Sequence, residues 1–360
     1  MTSLRVIAAL LTLMALTAES RAAGVTIGVV APQEGTFASL GAQISAGAGF
    51  QIRQAGDTLV AVNETCQDNS GQAIADALIA AKVQIAIGFL CSETLEGALP
   101  KLKDANIPVI TVSVRSRILM EDSLKNGWPL FRLGPQDSDE AARIIQIILQ
   151  QWTASPIALV EDGTIHGREL TEAVRNALEE NGLKPVFTDT YRPGQDQQVG
   201  LVRRLKRAGA TKVFIGGDRN DVATIARDAE AENIQLDILG GDAMRAANEP
   251  LALMDGVRAV AIPEYALLPA AAASVEALRA AGAEPEGYVL PAAAAALIAD
   301  QAVQAAAAEG KPVAEKLIGT QFDTPIGPVT FTPAHELAQN PYRLLEWRDG
   351  AFVPSADGTD

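Results

Sequence analysis

The stretch Ile85 to Glu93, Ile-Ala-Ile-Gly-Phe-Leu-Cys-Ser-Glu, holds the residues best placed to do chemistry. An apolar run of strand length ends in a turn at Gly88. Ser92 then falls at the expected N-cap of a helix marked by Leu95, Leu99 and Leu102 at helical spacing. In a parallel sheet such a strand-turn-helix junction lies at the carboxyl edge, where unpaired N–H groups and the positive end of the helix dipole attract an anion. Ser92 either adds a hydroxyl donor to that anion site or caps its own helix, and both readings stand on this stretch alone.

The two cysteines, Cys66 and Cys91, each follow an apolar run, Leu59 to Val62 and Val83 to Ile87. Both therefore sit beyond the carboxyl ends of neighbouring strands, at a separation that a disulfide can bridge. A single disulfide is the natural reading for an exported chain, and two free buried thiols are the alternative. Two cysteines with no histidine nearby make no zinc site, so no metal is expected. No G-x-S-x-G elbow, HExxH, P-loop or dinucleotide glycine fingerprint is present. Gly310-Lys311 is followed by Pro312 and cannot be a phosphate-binding lysine, and His335-Glu336 lacks a second histidine, which makes His335 a solvent-facing loop residue. No catalytic residue and no cofactor is expected.

The elements that must position this chemistry follow a regular pattern. After Met-Thr-Ser-Leu-Arg comes an apolar run from Val6 to Leu16, and Ser20 and Ala22 supply a small-x-small pattern, so residues 1–22 read as a secretory signal peptide. The Ala-rich run Pro291 to Ala308 is interrupted by Asp300, Gln301 and Gln304, and reads as a packed helix with one polar stripe rather than a membrane span. With 360 residues the chain exceeds what one core usually holds. Its net charge of −15 argues against nucleic acid or an anionic membrane as partner.

From Val25, four strand-helix cycles run at nearly even spacing to Val112, the sign of a parallel sheet flanked by helices. Gly134-Pro135 makes a seam and the cycle restarts at Ile157, with strands ending at Gly216-Gly217 and Gly240-Gly241-Asp242. The last hundred or so residues are too mixed for a third domain. They are expected to cross back to complete the first lobe and cross again to finish the second. The lobes would comprise 23–134 plus about 263–325, and 135–262 plus about 326–360.

Gly35 and Gly41, the Cys66 and Cys91 pair, Gly88-Phe89-Leu90-Cys91-Ser92, Phe131-Arg132, Gly216-Gly217 and the run Phe322 to Phe331 give the chain a closer likeness. It resembles the leucine/isoleucine/valine-binding protein family of ABC importers over nearly all of its mature length. That resemblance implies an α/β fold of two doubly wound parallel-sheet lobes joined by a multi-strand hinge. It implies a periplasmic monomer that closes on an amino acid or related carboxylate and delivers it to a membrane permease. A periplasmic sensor presenting its closed form to a receptor is the alternative. A secreted hydrolase using Ser92 lacks a base and an oxyanion partner set. By the same resemblance Ser92 and Ser113 hold the ligand carboxylate and Asp242 its ammonium, while His166, Asp218 and Tyr288 take cleft positions that are often aromatic. The sequence departs from the family pattern at Arg115, where a threonine is common, and at Leu40, where an aromatic is. Arg115 would either bind an anionic or polar ligand group or form an ion pair across the closed cleft.

Overall fold

The computed structural model describes residues 24–67, 69–246 and 250–358. The proposed signal peptide lies outside them. The strands are β1 Thr26–Ala31, β2 Thr58–Asn63, β3 Ile85–Gly88, β4 Val109–Thr111, β5 Leu130–Arg132, β6 Ile157–Glu161, β7 Phe187–Thr190, β8 Lys212–Gly216, β9 Asp237–Gly240, β10 Arg258–Ala261, β11 Gln321–Thr324, β12 Gly327–Thr330, β13 Arg343–Arg348 and β14 Ala351–Pro354. The helices are α1 Ala38–Ala55, α2 Ser70–Ala80, α3 Ser92–Asp104, α4 Arg117–Asn126, α5 Asp139–Gln151, α6 Ile165–Glu180, α7 Val199–Arg207, α8 Arg219–Ala231, α9 Ala272–Ala280, α10 Val289–Glu309 and α11 Val313–Leu317.

The first sheet runs β2-β1-β3-β4-β5, all parallel. The second repeats that order in β7-β6-β8-β9-β10 and adds β13 and β14 antiparallel at its far edge. Central strands are apolar on both faces because helices cover both. In β3 every residue is buried. On one side of the first sheet lie α1, α10 and the β11–β12 hairpin, with Ile44, Ala295 and Phe322 in one cluster. On the other side lie α2, α3 and α4. The second sheet is covered in the same way, by α7 and α8 on one face and by α5 and α6 on the other. The two doubly wound lobes expected from the sequence are present.

The alanine-rich α10 is the one helix among the described residues long and apolar enough to cross a membrane, yet it is largely buried inside the first lobe. Small residues there let backbones approach. A Cβ on Gly47 of α1 would lie 1.9 Å from the carbonyl oxygen of Val289, so only glycine permits this crossing. Gln304 donates to Asp300 on the exposed stripe of α10.

The chain passes between the sheets three times: after β5, after β10, and from Phe331 to β13. The third passage is pinned to the first. Arg132, 1% exposed, pairs through two nitrogens with the Glu336 carboxylate at 2.8 and 2.5 Å. His335 stacks on Phe131 with centroids 4.2 Å apart, and its Nδ1 lies 3.0 Å from the Leu130 carbonyl. The expectation of a solvent-facing His335 is therefore corrected. The ring is half-buried, and burial holds its pKa below the usual histidine value. Sequence spacing could not show this, because its partners are about two hundred residues away.

Candidate ligand-binding site

Ser92, Ser113, Arg115, His166, Asp218 and Asp242 all follow the carboxyl ends of sheet strands, where Gly88, Thr111, Glu161, Gly216 and Gly240 close β3, β4, β6, β8 and β9. Strand ends of a parallel sheet leave a crevice at this edge.

On the first lobe the junction differs in detail from the expected cap. Ser92 is the first residue of α3, and Cys91 is the N-cap, with no side-chain cap bond. The turn before it is strained: Gly88 has φ 104° and Phe89, a buried non-glycine, has φ 59°. A left-handed non-glycine costs roughly 1–2 kcal/mol and persists where its surroundings over-determine it. Here the Phe89 N–H donates to the Val30 carbonyl, and the Phe89 carbonyl accepts from the Ser113 hydroxyl at 2.8 Å and the Thr111 hydroxyl at 3.3 Å. Among the described residues no protein acceptor meets the N–H groups of Ser92, Glu93 and Thr94 or the Ser92 hydroxyl. They are free to receive an anion. The Ser113 hydroxyl, by contrast, is donated to the turn.

Cys66 and Cys91 form a disulfide that closes 25 residues of sequence and anchors this turn. Replacing both by serine is expected to cost about 2–4 kcal/mol, read as a lowered urea midpoint that reducing agent produces in the wild type and not in the variant. Glu64 stands within reach of both sulfurs, but with the sulfurs bonded to each other this trio is no metal site.

The second lobe contributes an acidic pair. Glu140, in the first turn of α5, is 6% exposed, and its Oε1 accepts the Asp242 N–H at 2.7 Å. The Asp242 carboxylate accepts the Ile262 N–H through Oδ1 at 3.0 Å, which leaves Oδ2 available. His166 Nε2 lies 3.6 Å from Glu140 Oε2. Burial raises the Glu140 pKa, opposed by the Asp242 amide and by His166. Arg115 reaches this group from the first lobe. It acts electrostatically on Glu140 and lies beside the Tyr342 hydroxyl on the third passage. No carboxylate comes within 4.0 Å of Arg115 among the described residues. Tyr265, on the second passage, is pushed up to about 12 chiefly by burial.

The structure thus brings Arg115, His166 and Asp242 together around Glu140 and Tyr342, while Ser113 bonds Phe89 in the turn that leads to Ser92. Asp218 stands apart. It is exposed and caps α8 through the Asp221 N–H at 3.0 Å. Tyr288 caps the start of α10 half-buried, its N–H donated to Gln43 Oε1 at 3.1 Å, and among the described residues it makes no hydrogen bond with the other six. Sequence reasoning missed Glu64, Glu140 and Tyr342. Glu140 looked like an ordinary first-turn acid, and only Tyr342, an aromatic between Pro341 and the strand Arg343–Arg348, carried any local signal.

Each lobe carries its candidate residues at the carboxyl edge of a parallel sheet, with free amides at the start of α3 on one and carboxylates on the other. The chain belongs to the periplasmic binding protein family, whose model matches residues 24–351. It is similar to the Leu/Ile/Val/Thr-binding protein of Salmonella typhimurium, 26% identical over 346 residues that cover 92% of this chain and 93% of that protein. In structure it is similar to an ABC transporter substrate-binding protein from Desulfitobacterium hafniense in complex with Leu, with TM-score 0.63, 20% identity and coverage of 92% of this chain and 100% of that one. It is also similar to a solute-binding protein of an ABC transporter from Rhodopseudomonas palustris in complex with p-hydroxybenzoic acid, with TM-score 0.61, 16% identity and coverage of 92% and 95%.

Proposed function

We propose that this protein captures an amino acid between its lobes in the periplasm, after removal of residues 1–22, and as a monomer delivers it to the permease of an ABC importer. The ligand α-carboxylate is received by the Ser92 hydroxyl and the amides that follow it, with Ser113 setting the turn. The ammonium meets Asp242. His166 lies beside Glu140 on the same lobe, and Asp218 and Tyr288, which stand apart, are left out of this set. The observation that carries this reading is the pairing of uncommitted N–H donors at the start of α3 with an Asp242 carboxylate that keeps one oxygen unpaired. Contacts with both lobes favour closure, because only a ligand with higher affinity for the closed state shifts that equilibrium. A thermal-shift panel of amino acids and organic acids tests it: a saturable stabilisation by one or more amino acids is expected, and none across the panel would reject it.

For Arg115 we favour the interlobe reading, as a longer-range attraction to Glu140 beside the Tyr342 hydroxyl rather than a contact ion pair. Arg115→Thr should therefore weaken leucine and glutamate alike, by roughly two- to tenfold, which is about 0.4–1.4 kcal/mol. Calorimetric titration with both ligands checks this. Selective loss of glutamate alone would instead make Arg115 a ligand contact.

A further inference from the structure

We propose that Glu64 is the positioning residue of the anion-receiving turn: it draws the Leu90 and Cys91 amides inward, so that the next three amides and the Ser92 hydroxyl stay open to a carboxylate. This rests on the amino-acid-binding reading for its ligand but not for its geometry. Glu64 is 1% exposed at the end of β2 and joins β1 through its own N–H, donated to the Ala31 carbonyl at 3.1 Å. Its Oε2 accepts the Leu90 N–H at 2.7 Å and its Oε1 the Cys91 N–H at 3.1 Å.

The other restraints on the turn act elsewhere. Gly88 is fixed by lack of room, since a Cβ there would lie 2.2 Å from the Val30 carbonyl oxygen. Phe89 is held through its carbonyl and N–H, and Cys91 through its sulfur. Among the described residues only Glu64 fixes the direction of the Leu90 and Cys91 amides, which sets the entry of the chain into α3.

The choice of a carboxylate has a consequence for binding. Burial raises the Glu64 pKa to about 6 against the pull of its two amides, and among the described residues no charged side chain acts on it from β1, the turn or the disulfide. Protonation leaves Glu64 one full acceptor, so the turn is set while Glu64 is ionised, and affinity for a carboxylate falls as pH drops from 7.5 towards 5.5. Glu140 and His166 face the same cleft from the second lobe, so comparison with a Glu64 variant isolates its share.

The test uses the full-length mature protein, with leucine as probe. In Glu64→Gln, which keeps the shape and one acceptor, ligand-free amide hydrogen exchange across 88–95 should quicken by about tenfold or more while β6 stays protected. Wild-type affinity for leucine should fall severalfold from pH 7.5 to 5.5, and that slope should shrink in the variant. Unchanged exchange in the turn, or an undiminished slope, overturns the proposal. Should Glu64→Gln fail to fold, exchange in Glu64→Asp, one methylene too short to span both amides, decides in the same way. If wild type does not bind leucine, leucine is removed from the functional reading, and the exchange experiment alone judges Glu64.

Discussion

Arg132→Ala is expected to lower the unfolding free energy by about 3–5 kcal/mol, the cost of leaving one member of a buried ion pair without its partner. Arg132 is 1% exposed and Glu336 mostly buried, and the pair makes two parallel hydrogen bonds, the geometry in which guanidinium and carboxylate interact best. Arg132 Nη1 also donates to the Arg115 carbonyl at 2.5 Å, so its loss should loosen the segment that carries Arg115 towards the second lobe. Urea unfolding of Arg132→Ala, Glu336→Gln and the double variant measures this. The double variant should cost clearly less than the sum, because each single change removes the same interaction and strands the remaining charge. Additive losses would show that the two residues act independently, and a loss below about 1 kcal/mol would show that the pair is solvated in solution.

Asp242→Asn should weaken ligand binding by roughly 10- to 150-fold, the range for a charge-assisted hydrogen bond of about 1.5–3 kcal/mol. The substitution is chosen to spare the fold. An asparagine carbonyl can still accept the Ile262 N–H, and the bond from the Asp242 N–H to Glu140 is made by the backbone. What it removes is the charge that would meet an ammonium. Calorimetry with the ligand found in the panel reads the affinity, and circular dichroism reads the fold. A folded variant that binds as tightly as wild type would transfer the ammonium to Glu140, whose pKa burial already raises.

The sequence by itself determined the architecture. Apolar runs of strand length alternating with helical periodicity, punctuated at Gly88, Gly134, Gly216 and Gly240, specify local structure through short-range sterics and burial, and these act identically wherever the segment lies in the molecule. It also marked the strand ends at which Ser92, Ser113, His166 and Asp242 stand, because a carboxyl-edge loop is legible from the strand before it. Two helices escaped it, α4 and the five-residue α11. In α4 the buried apolar residues are only Leu119 and Met120, too few for a periodic signal, though its Ser116 cap, accepting the Leu119 N–H, and the left-handed Gly127 after it were there to be read.

Tertiary structure alone decided the partners. Glu64 meets amides 26 and 27 residues on, Glu140 meets the Asp242 amide 102 residues on, and Arg132 meets Glu336 across 204 residues. Hydrogen bonds and ion pairs depend on distance in space, and the sheet order β2-β1-β3 and the three passages between the lobes set those distances. A buried acid and a surface acid look the same in a sequence. Only the fold's exclusion of water sets Glu64 and Glu140 apart from the surface acids, and only its return through Phe331 to β13 turns His335 from an exposed loop residue into a half-buried one stacked on Phe131.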